Sequence, residues 1–158
     1  MILQKKNWEN PGKKLILNSS NDTADLARDL AKQLKPGDVV AFYGDLGSGK
    51  TFMIKHICHS LKTIEEPTSP SFTLINEYHT SQQINIYHFD FYRLEYETEL
   101  TNLGIDDLLF NEHICLIEWA DKIQKFLPQK RYDIFIKFIE QRPESREIEI
   151  IQQDQHGK

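Results

Sequence analysis

Residues 44–51 read Gly-Asp-Leu-Gly-Ser-Gly-Lys-Thr, which fits the spacing G-x-x-x-x-G-K-[ST]. No other stretch limits the possible folds so tightly, because such a loop works only where a strand delivers it and a helix carries it away. Val39–Tyr43 supplies an apolar lead-in, and Phe52–Leu61 supplies a helical exit. Small residues let successive backbone N–H groups turn toward phosphate oxygens, and the helix opening adds its positive dipole end. Lys50 is a flexible point charge for the terminal phosphates, and Thr51 offers a hydroxyl to Mg²⁺. Nucleotide contacts are therefore expected from Asp45, Leu46, Gly47, Ser48, Gly49, Lys50, Thr51 and Phe52. A chance match is expected in only about half a percent of chains this long.

The 158 residues suit one domain, 39% hydrophobic and 27% charged, able to bury roughly 70% of its unfolded surface. Residues 1–14 are polar and basic and read as a loose arm, 15–151 as the P-loop domain, and 152–158 as a frayed tail. No apolar run approaches the roughly 20 residues of a membrane span, and the N-terminus does not read as a secretory signal, so a cytoplasmic location is expected. Cys58 and Cys115 stand far apart in apolar patterns, as two reduced core thiols would. A net charge of −5 argues against nucleic-acid binding through bulk charge. Between Leu94 and Asp121 there is no Lys or Arg, while Glu95, Glu97, Glu99, Asp106, Asp107, Glu112, Glu118 and Asp121 are acidic. That stretch is either a solvated face or a docking surface for a basic partner.

In chain order, Leu15–Leu17 reads as a short strand and 20–34 as a helix ended by Lys35-Pro36-Gly37-Asp38. Beyond the P-loop helix, Pro67 and Pro70 stiffen a loop holding Thr68, Ser69 and Ser71. This loop is either a plain connector or a switch whose hydroxyls sense the terminal phosphate. Phe72–His79 and Ile84–Phe91 predict an antiparallel hairpin, with Ile84, Ile86, His88 and Asp90 on one face. Two short helices, 95–103 and 105–110, break at Gly104, and His113–Trp119 then runs apolar up to Glu118. A buried parallel strand would deliver Glu118 to its C-terminal edge, the Walker B arrangement. Asp90 and Glu118 thus compete for the Mg²⁺-organising role or share it. Helical spacing continues from Trp119 to Pro128, and 132–139 with 147–151 predict a closing hairpin turned at 141–145. His56, Cys58 and His59 on the P-loop helix lack the two further ligands that a metal site would need, and Tyr87-His88 with the aromatics around it reads as core rather than a base-stacking platform.

Four motifs in this order are similar to those of the TsaE (YjeE) family: GDLGSGKT at 44–51, PTSPSFTL at 67–74, HFDFYRL at 88–94 and LIEWAD at 116–121. The resemblance spans about Asp22 to Ile150, and only its first motif is widespread among NTPases. Ser71 replaces the usual Thr and keeps the hydroxyl; Asp121 replaces the usual Glu and keeps the charge. The resemblance implies a single-domain α/β P-loop NTPase whose central sheet mixes parallel and antiparallel strands flanked by helices. It implies an ATPase, slow alone, that binds ATP/ADP and Mg²⁺ and acts with TsaB and TsaD to form threonylcarbamoyladenosine on tRNA. In that scheme TsaD transfers the group and hydrolysis resets the complex, with no direct tRNA contact expected of this chain. It further implies phosphate and Mg²⁺ roles for Lys50 and Thr51, functional acids at Asp90 and Glu118, and Trp119 near the nucleotide.

Two other functions fit a P-loop. A small-molecule kinase would usually carry a lid with several Arg residues, yet only Arg93 lies between Phe52 and Gln129. Arg93 is also the nearest candidate for an arginine finger, its plainer role being an ion pair with neighbouring acids. A nucleotide-dependent docking switch would need no hydrolysis at all. No N/T-K-x-D run for reading guanine occurs, which favours ATP.

Overall fold

A computed structural model describes residues 12–154. Its elements are β1 (Lys14–Leu17), α1 (Ser20–Ala31), β2 (Val39–Tyr43), α2 (Lys50–Ser60), β3 (Ile75–His79), β4 (Asn85–Asp90), α3 (Glu97–Leu103), α4 (Ile105–Leu109), β5 (Ile114–Glu118), a 3₁₀ segment (Ala120–Phe126), β6 (Arg131–Ile139) and β7 (Arg142–Gln153). Among the described residues the strands form one seven-stranded sheet in the order β1-β7-β6-β2-β5-β4-β3. β2 pairs in parallel with both β5 and β6, and β4 pairs in parallel with β5. The edges are antiparallel: β3 on β4, β7 on β6, and β1 on β7. The expected mixed α/β sheet is the one observed.

The apolar runs explain the order. All five residues of β2 and all five of β5 are buried, and such strands are stable only where both faces are covered. Alternation then divides their side chains between two cores. Val40, Phe42, Ile114 and Leu116 pack with Leu26, Leu30, Met53, Ile54 and Ile57 of α1 and α2. Val39, Ala41, Cys115 and Ile117 face the other way and pack with Leu100, Ile105, Leu109 and Ile123. α1 starts where Ser19 accepts a hydrogen bond from the Asp22 N–H at 3.1 Å. It stops at Ala31 rather than Leu34; residues 33 and 34 close onto Leu30 and Ala31 in shorter turns ahead of Pro36.

Other expected boundaries differ too. Ser71–Leu74 is a turn rather than the start of β3, because Leu74 has φ 67°, which no strand continues. The segment after Trp119 is 3₁₀, interrupted at Ile123 (φ −128°), rather than a regular helix. The β6–β7 turn falls at Glu140-Gln141, with Gln141 at φ 65°, instead of at 141–145. Pro143 instead sits in an irregularity that moves the pairing from Phe138↔Arg146 to Ile139↔Arg142, the kind of place a strand tolerates proline. Lys14 belongs to the edge strand β1 and Gln152-Gln153 to β7 rather than to an arm and a tail. The rest of the expected arm, through residue 11, and the tail from 155 lie outside the described residues.

Cys58 and Cys115 are free and buried, one on each side of the sheet. Burial pushes both thiols up to about 12. Neither should react with Ellman's reagent in the native protein at neutral pH, and both should react once denaturant unfolds it. Fast labelling of either thiol in the folded chain would contradict this packing.

Candidate functional site

The register of the parallel strands builds the site. Asp90 of β4 stands opposite Glu118 of β5, which stands opposite Phe42 of β2, so three strands end side by side where the glycine loop leaves β2. Binding groups collect at this carboxyl edge of an open α/β sheet. Asp90, His88 and Ile86 share the face toward α2, as the alternation predicts, and Glu118 shares it with Ile114 and Leu116.

The loop itself is tightly built. Gly49, at φ 111°, is the N-cap of α2, and no side chain caps the helix there. The first N–H groups of α2 are thus left for an outside acceptor, and no acidic residue occupies the first turn. The Lys50 ammonium donates to the carbonyls of Gly44 and Asp45, the latter at 3.0 Å. It also lies 4.2 Å from the centre of the Trp119 ring. Burial lowers the pKa of Lys50, opposed by the negative charges of Glu118, Asp90, Asp121 and Asp45. Thr51 donates its hydroxyl to Glu118, with Oε1 at 2.7 Å and Oε2 at 2.9 Å. Asp90 accepts the Tyr92 N–H at 2.9 Å through Oδ1 and the Ser69 hydroxyl at 3.4 Å through Oδ2.

These groups line a cleft of about 220 Å³ bordered by Leu46, Gly47, Gly49, Lys50, Thr51, Phe52, Ser69, Ser71, Asp90, Tyr92, Glu118 and Trp119. Of the residues expected from sequence, Asp45, Ser48 and Thr68 do not border it. Asp45 contributes only its carbonyl to Lys50. Ser48 is buried, and its hydroxyl has no partner. Thr68 points away toward Tyr78 and Asn76. Larger clefts of about 510 and 600 Å³ open beside Lys35 and Asp38 and beside Gly37 and Leu109, near the start of β2. They offer no glycine loop, so volume alone does not make them the site.

Three contributors were missed. Tyr92 packs against Trp119 with ring centres 5.0 Å apart and planes tilted by 42°; its place beside Asp90 in the HFDFYRL motif was the available signal. His88 is fully buried and donates from Nε2 to Glu118 Oε1 at 2.9 Å, so it is a partner of the acid rather than mere core. Its position two residues before Asp90 on one strand face carried that information. Arg146 of β7 donates from Nε to the Ser48 carbonyl at 2.6 Å and lies 4.8 Å over the Phe138 ring. That carbonyl belongs to the peptide whose N–H is Gly49, so the guanidinium fixes the peptide from behind. No local pattern announces a contact spanning 98 residues. Arg93 rests 4.4 Å over the exposed ring of Phe72 instead of pairing with neighbouring acids.

Gly44 tests how closely the loop is packed. A Cβ there would lie 2.6 Å from the Ile136 carbonyl oxygen and 2.6 Å from the Ser48 hydroxyl. Since the first of these is strand backbone, Gly44→Ala should destabilise the fold by about 1–3 kcal/mol, as overpacking does. Urea unfolding checks this, and a variant as stable as the parent would contradict the stated packing.

Comparison with known proteins agrees with this geometry. The family model described as "Threonylcarbamoyl adenosine biosynthesis protein TsaE" matches residues 17–148. A Rickettsia felis protein named tRNA threonylcarbamoyladenosine biosynthesis protein TsaE is 40% identical over 131 residues, covering 80% of this chain and 74% of that protein. The Bacillus subtilis protein of the same name is 41% identical over 116 residues, covering 73% and 72%. The crystal structure of Bacillus subtilis YdiB superposes with a TM-score of 0.71 at 32% identity, covering 90% of this chain and 86% of that one. On the family match over residues 17–148 and these relatives, the chain belongs to the TsaE family.

Proposed function

We propose that this chain is a Mg²⁺-dependent ATPase, binding ATP and ADP, that serves threonylcarbamoyladenosine formation on tRNA. Its proposed partners are TsaB and TsaD, and its proposed location is the cytoplasm. The relatives' names support the pathway, and no described helix is long and apolar enough to cross a membrane. One observation carries the chemistry: an uncapped helix N-terminus, the Lys50 ammonium and the Thr51–Glu118 pair face a single cleft. The donors suit an anion and the carboxylates suit a hard cation, which is the combination a Mg²⁺ nucleotide presents.

Each residue has a task in this reading. Lys50 leaves the carbonyls of Gly44 and Asp45 and gives its charge to the terminal phosphates. The N–H groups of the loop and of the first turn of α2 cradle them. Bound Mg²⁺ neutralises phosphate charge and fixes its geometry. Thr51 is the hydroxyl ligand, aimed by Glu118, which makes Glu118 the metal-organising acid at one remove. Asp90, joined to the Ser69–Ser71 pair, orients the water side of the site. A cleft of 220 Å³ is below the roughly 300–1,000 Å³ of small-molecule pockets. It therefore encloses phosphates, and the nucleoside lies across the rim formed by Leu46, Phe52 and Trp119. No arginine borders the cleft among the described residues, which supports slow turnover until a partner completes the charge stabilisation.

Lys50→Ala should abolish ATP hydrolysis, measured as phosphate release with TsaB and TsaD present, while thermal unfolding stays within a few degrees of the parent. Loss of one positioned charge costs about 10²–10³-fold in turnover, so unchanged release would remove the P-loop from the mechanism. Trp119 gives a second test, because Lys50 sits on its ring. In a Trp8→Phe protein, Mg·ADP should change Trp119 emission saturably, and Lys50→Ala should weaken the response. A flat titration with calorimetric binding intact would return Trp119 to a packing role.

A further inference from the structure

Behind the Thr51–Glu118 pair the polar groups do not stop. Glu118 Oε1 accepts from His88 Nε2 at 2.9 Å, and His88 Nδ1 lies 3.2 Å from the Tyr78 hydroxyl. That hydroxyl donates to the Thr68 carbonyl at 2.8 Å and accepts the Thr68 N–H at 3.1 Å. We propose that His88 and Tyr78 are positioning residues that carry the occupancy of the phosphate site into loop 67–74, along Thr51–Glu118–His88–Tyr78–Thr68. This deepens the nucleotide reading above and rests on it.

Burial makes the chain obligatory. His88 is 0% exposed, Tyr78 3% and Glu118 3%, so water cannot satisfy a group that loses its neighbour. Counting hydrogens gives each link a direction. An ionised carboxylate only accepts, so Thr51 and His88 Nε2 must be its donors. Tyr78 has one hydroxyl hydrogen and two acceptors within reach, the Thr68 carbonyl at 2.8 Å and His88 Nδ1 at 3.2 Å. When Thr51 turns its oxygen to a metal ion, the share of Glu118 left for His88 changes. The ring's pull on the Tyr78 hydrogen changes with it, and so does the hold on both backbone groups of Thr68. The bistable element is thus one hydroxyl rotor facing two acceptors.

The loop is built to respond. Tyr78 clamps its base at Thr68, assisted by Asn76 Nδ2 on the Thr68 carbonyl at 3.1 Å. Its far end is set by Leu74 at φ 67°, whose carbonyl accepts the Asp90 N–H at 3.0 Å. Between these two ties, Ser69 and Ser71 border the cleft while Phe72 is 83% exposed with Arg93 on its ring. A change at Thr68 therefore moves hydroxyls at the phosphates and an exposed aromatic that a partner protein can meet.

Amide hydrogen exchange across residues 69–74, with and without saturating Mg·ADP, tests this in the full chain, with Mg·ADP affinity measured by calorimetry. In the parent, Mg·ADP should alter exchange by about tenfold. Tyr78→Phe keeps the buried ring and removes the hydroxyl; it should reduce that response below about twofold while affinity stays within about threefold. His88→Gln, which keeps a donor near Glu118 and loses the ring nitrogen facing Tyr78, should do the same. It secures the test if Tyr78→Phe folds poorly. A full loop response in either folded variant overturns the proposal and leaves the Ser69–Asp90 contact as the carrier. Affinity lost in step with the response would make these residues structural supports only, which also overturns it. A parent loop that ignores bound Mg·ADP overturns the coupling alone, whereas no binding by calorimetry overturns the nucleotide reading and the coupling together.

Discussion

The carboxylate of Glu118 is the group on which the rest of this structure depends. It is 3% exposed, so its oxygens depend on the protein groups aimed at them rather than on water. Thr51 reaches it from α2, His88 from β4, and the Lys50 ammonium stands close enough for its field to be felt. Those groups come from α2 and β4, so the carboxylate of β5 can be satisfied only when β4, β5 and α2 are all in place. Removing one partner would leave an uncompensated buried charge, which costs several kcal/mol in proteins generally (about 3–5). The site is thus a condition of the local fold as well as an addition to it.

How much of this was legible follows from the kind of signal involved. The P-loop, both acids and the buried parallel strand that carries Glu118 were plain because each is encoded within a few consecutive residues. β4's face pattern placed Asp90 and His88 together, yet it left His88 looking like core until its partner across β5 was known. Arg146 was invisible, since its contact with Ser48 depends on the register of β7 on β6 and β6 on β2. Three of the boundary differences share one cause. Leu74, Trp119 and Gln141 adopt positive φ, which residue identity does not announce when the residue is not glycine.

The kinase alternative fares worse in three dimensions than on the sequence. Arg93, the one arginine between Phe52 and Gln129, stacks on Phe72 at the loop's outer surface instead of reaching the cleft. Arg146 is committed to the Ser48, Ser145 and Pro143 carbonyls. A phosphoryl acceptor would also need enclosure, and the cleft of 220 Å³ lies below the roughly 300–1,000 Å³ of small-molecule pockets. What the rim does offer is apolar: Leu46 is 66% exposed, Phe52 37% and Tyr92 43%. Exposed aromatic and aliphatic groups around a phosphate site suit closure by another protein better than closure by a lid of this chain.

Two bulky residues with left-handed backbone flank the cleft, Leu74 before β3 and Trp119 after β5. Each costs about 1–2 kcal/mol relative to ordinary geometry. The cost is met by what each turn achieves. At Trp119 (φ 58°, ψ 43°) the chain breaks off β5 immediately after Glu118, which returns the indole over Lys50 instead of letting it continue along the sheet. At Leu74 the turn brings its carbonyl to the Asp90 N–H and so ties the serine loop to the strand that carries the acid. Glycine would relieve the strain at either position, but it would also free the backbone that now has one conformation. The packing of Ala120 and Ile123 into the lower core holds the first turn closed, and the Pro70 carbonyl, accepting the Leu74 N–H at 3.0 Å, holds the second. Strain on both sides of one cleft, sustained by packing outside it, is how this sheet holds two fixed edges around a binding space.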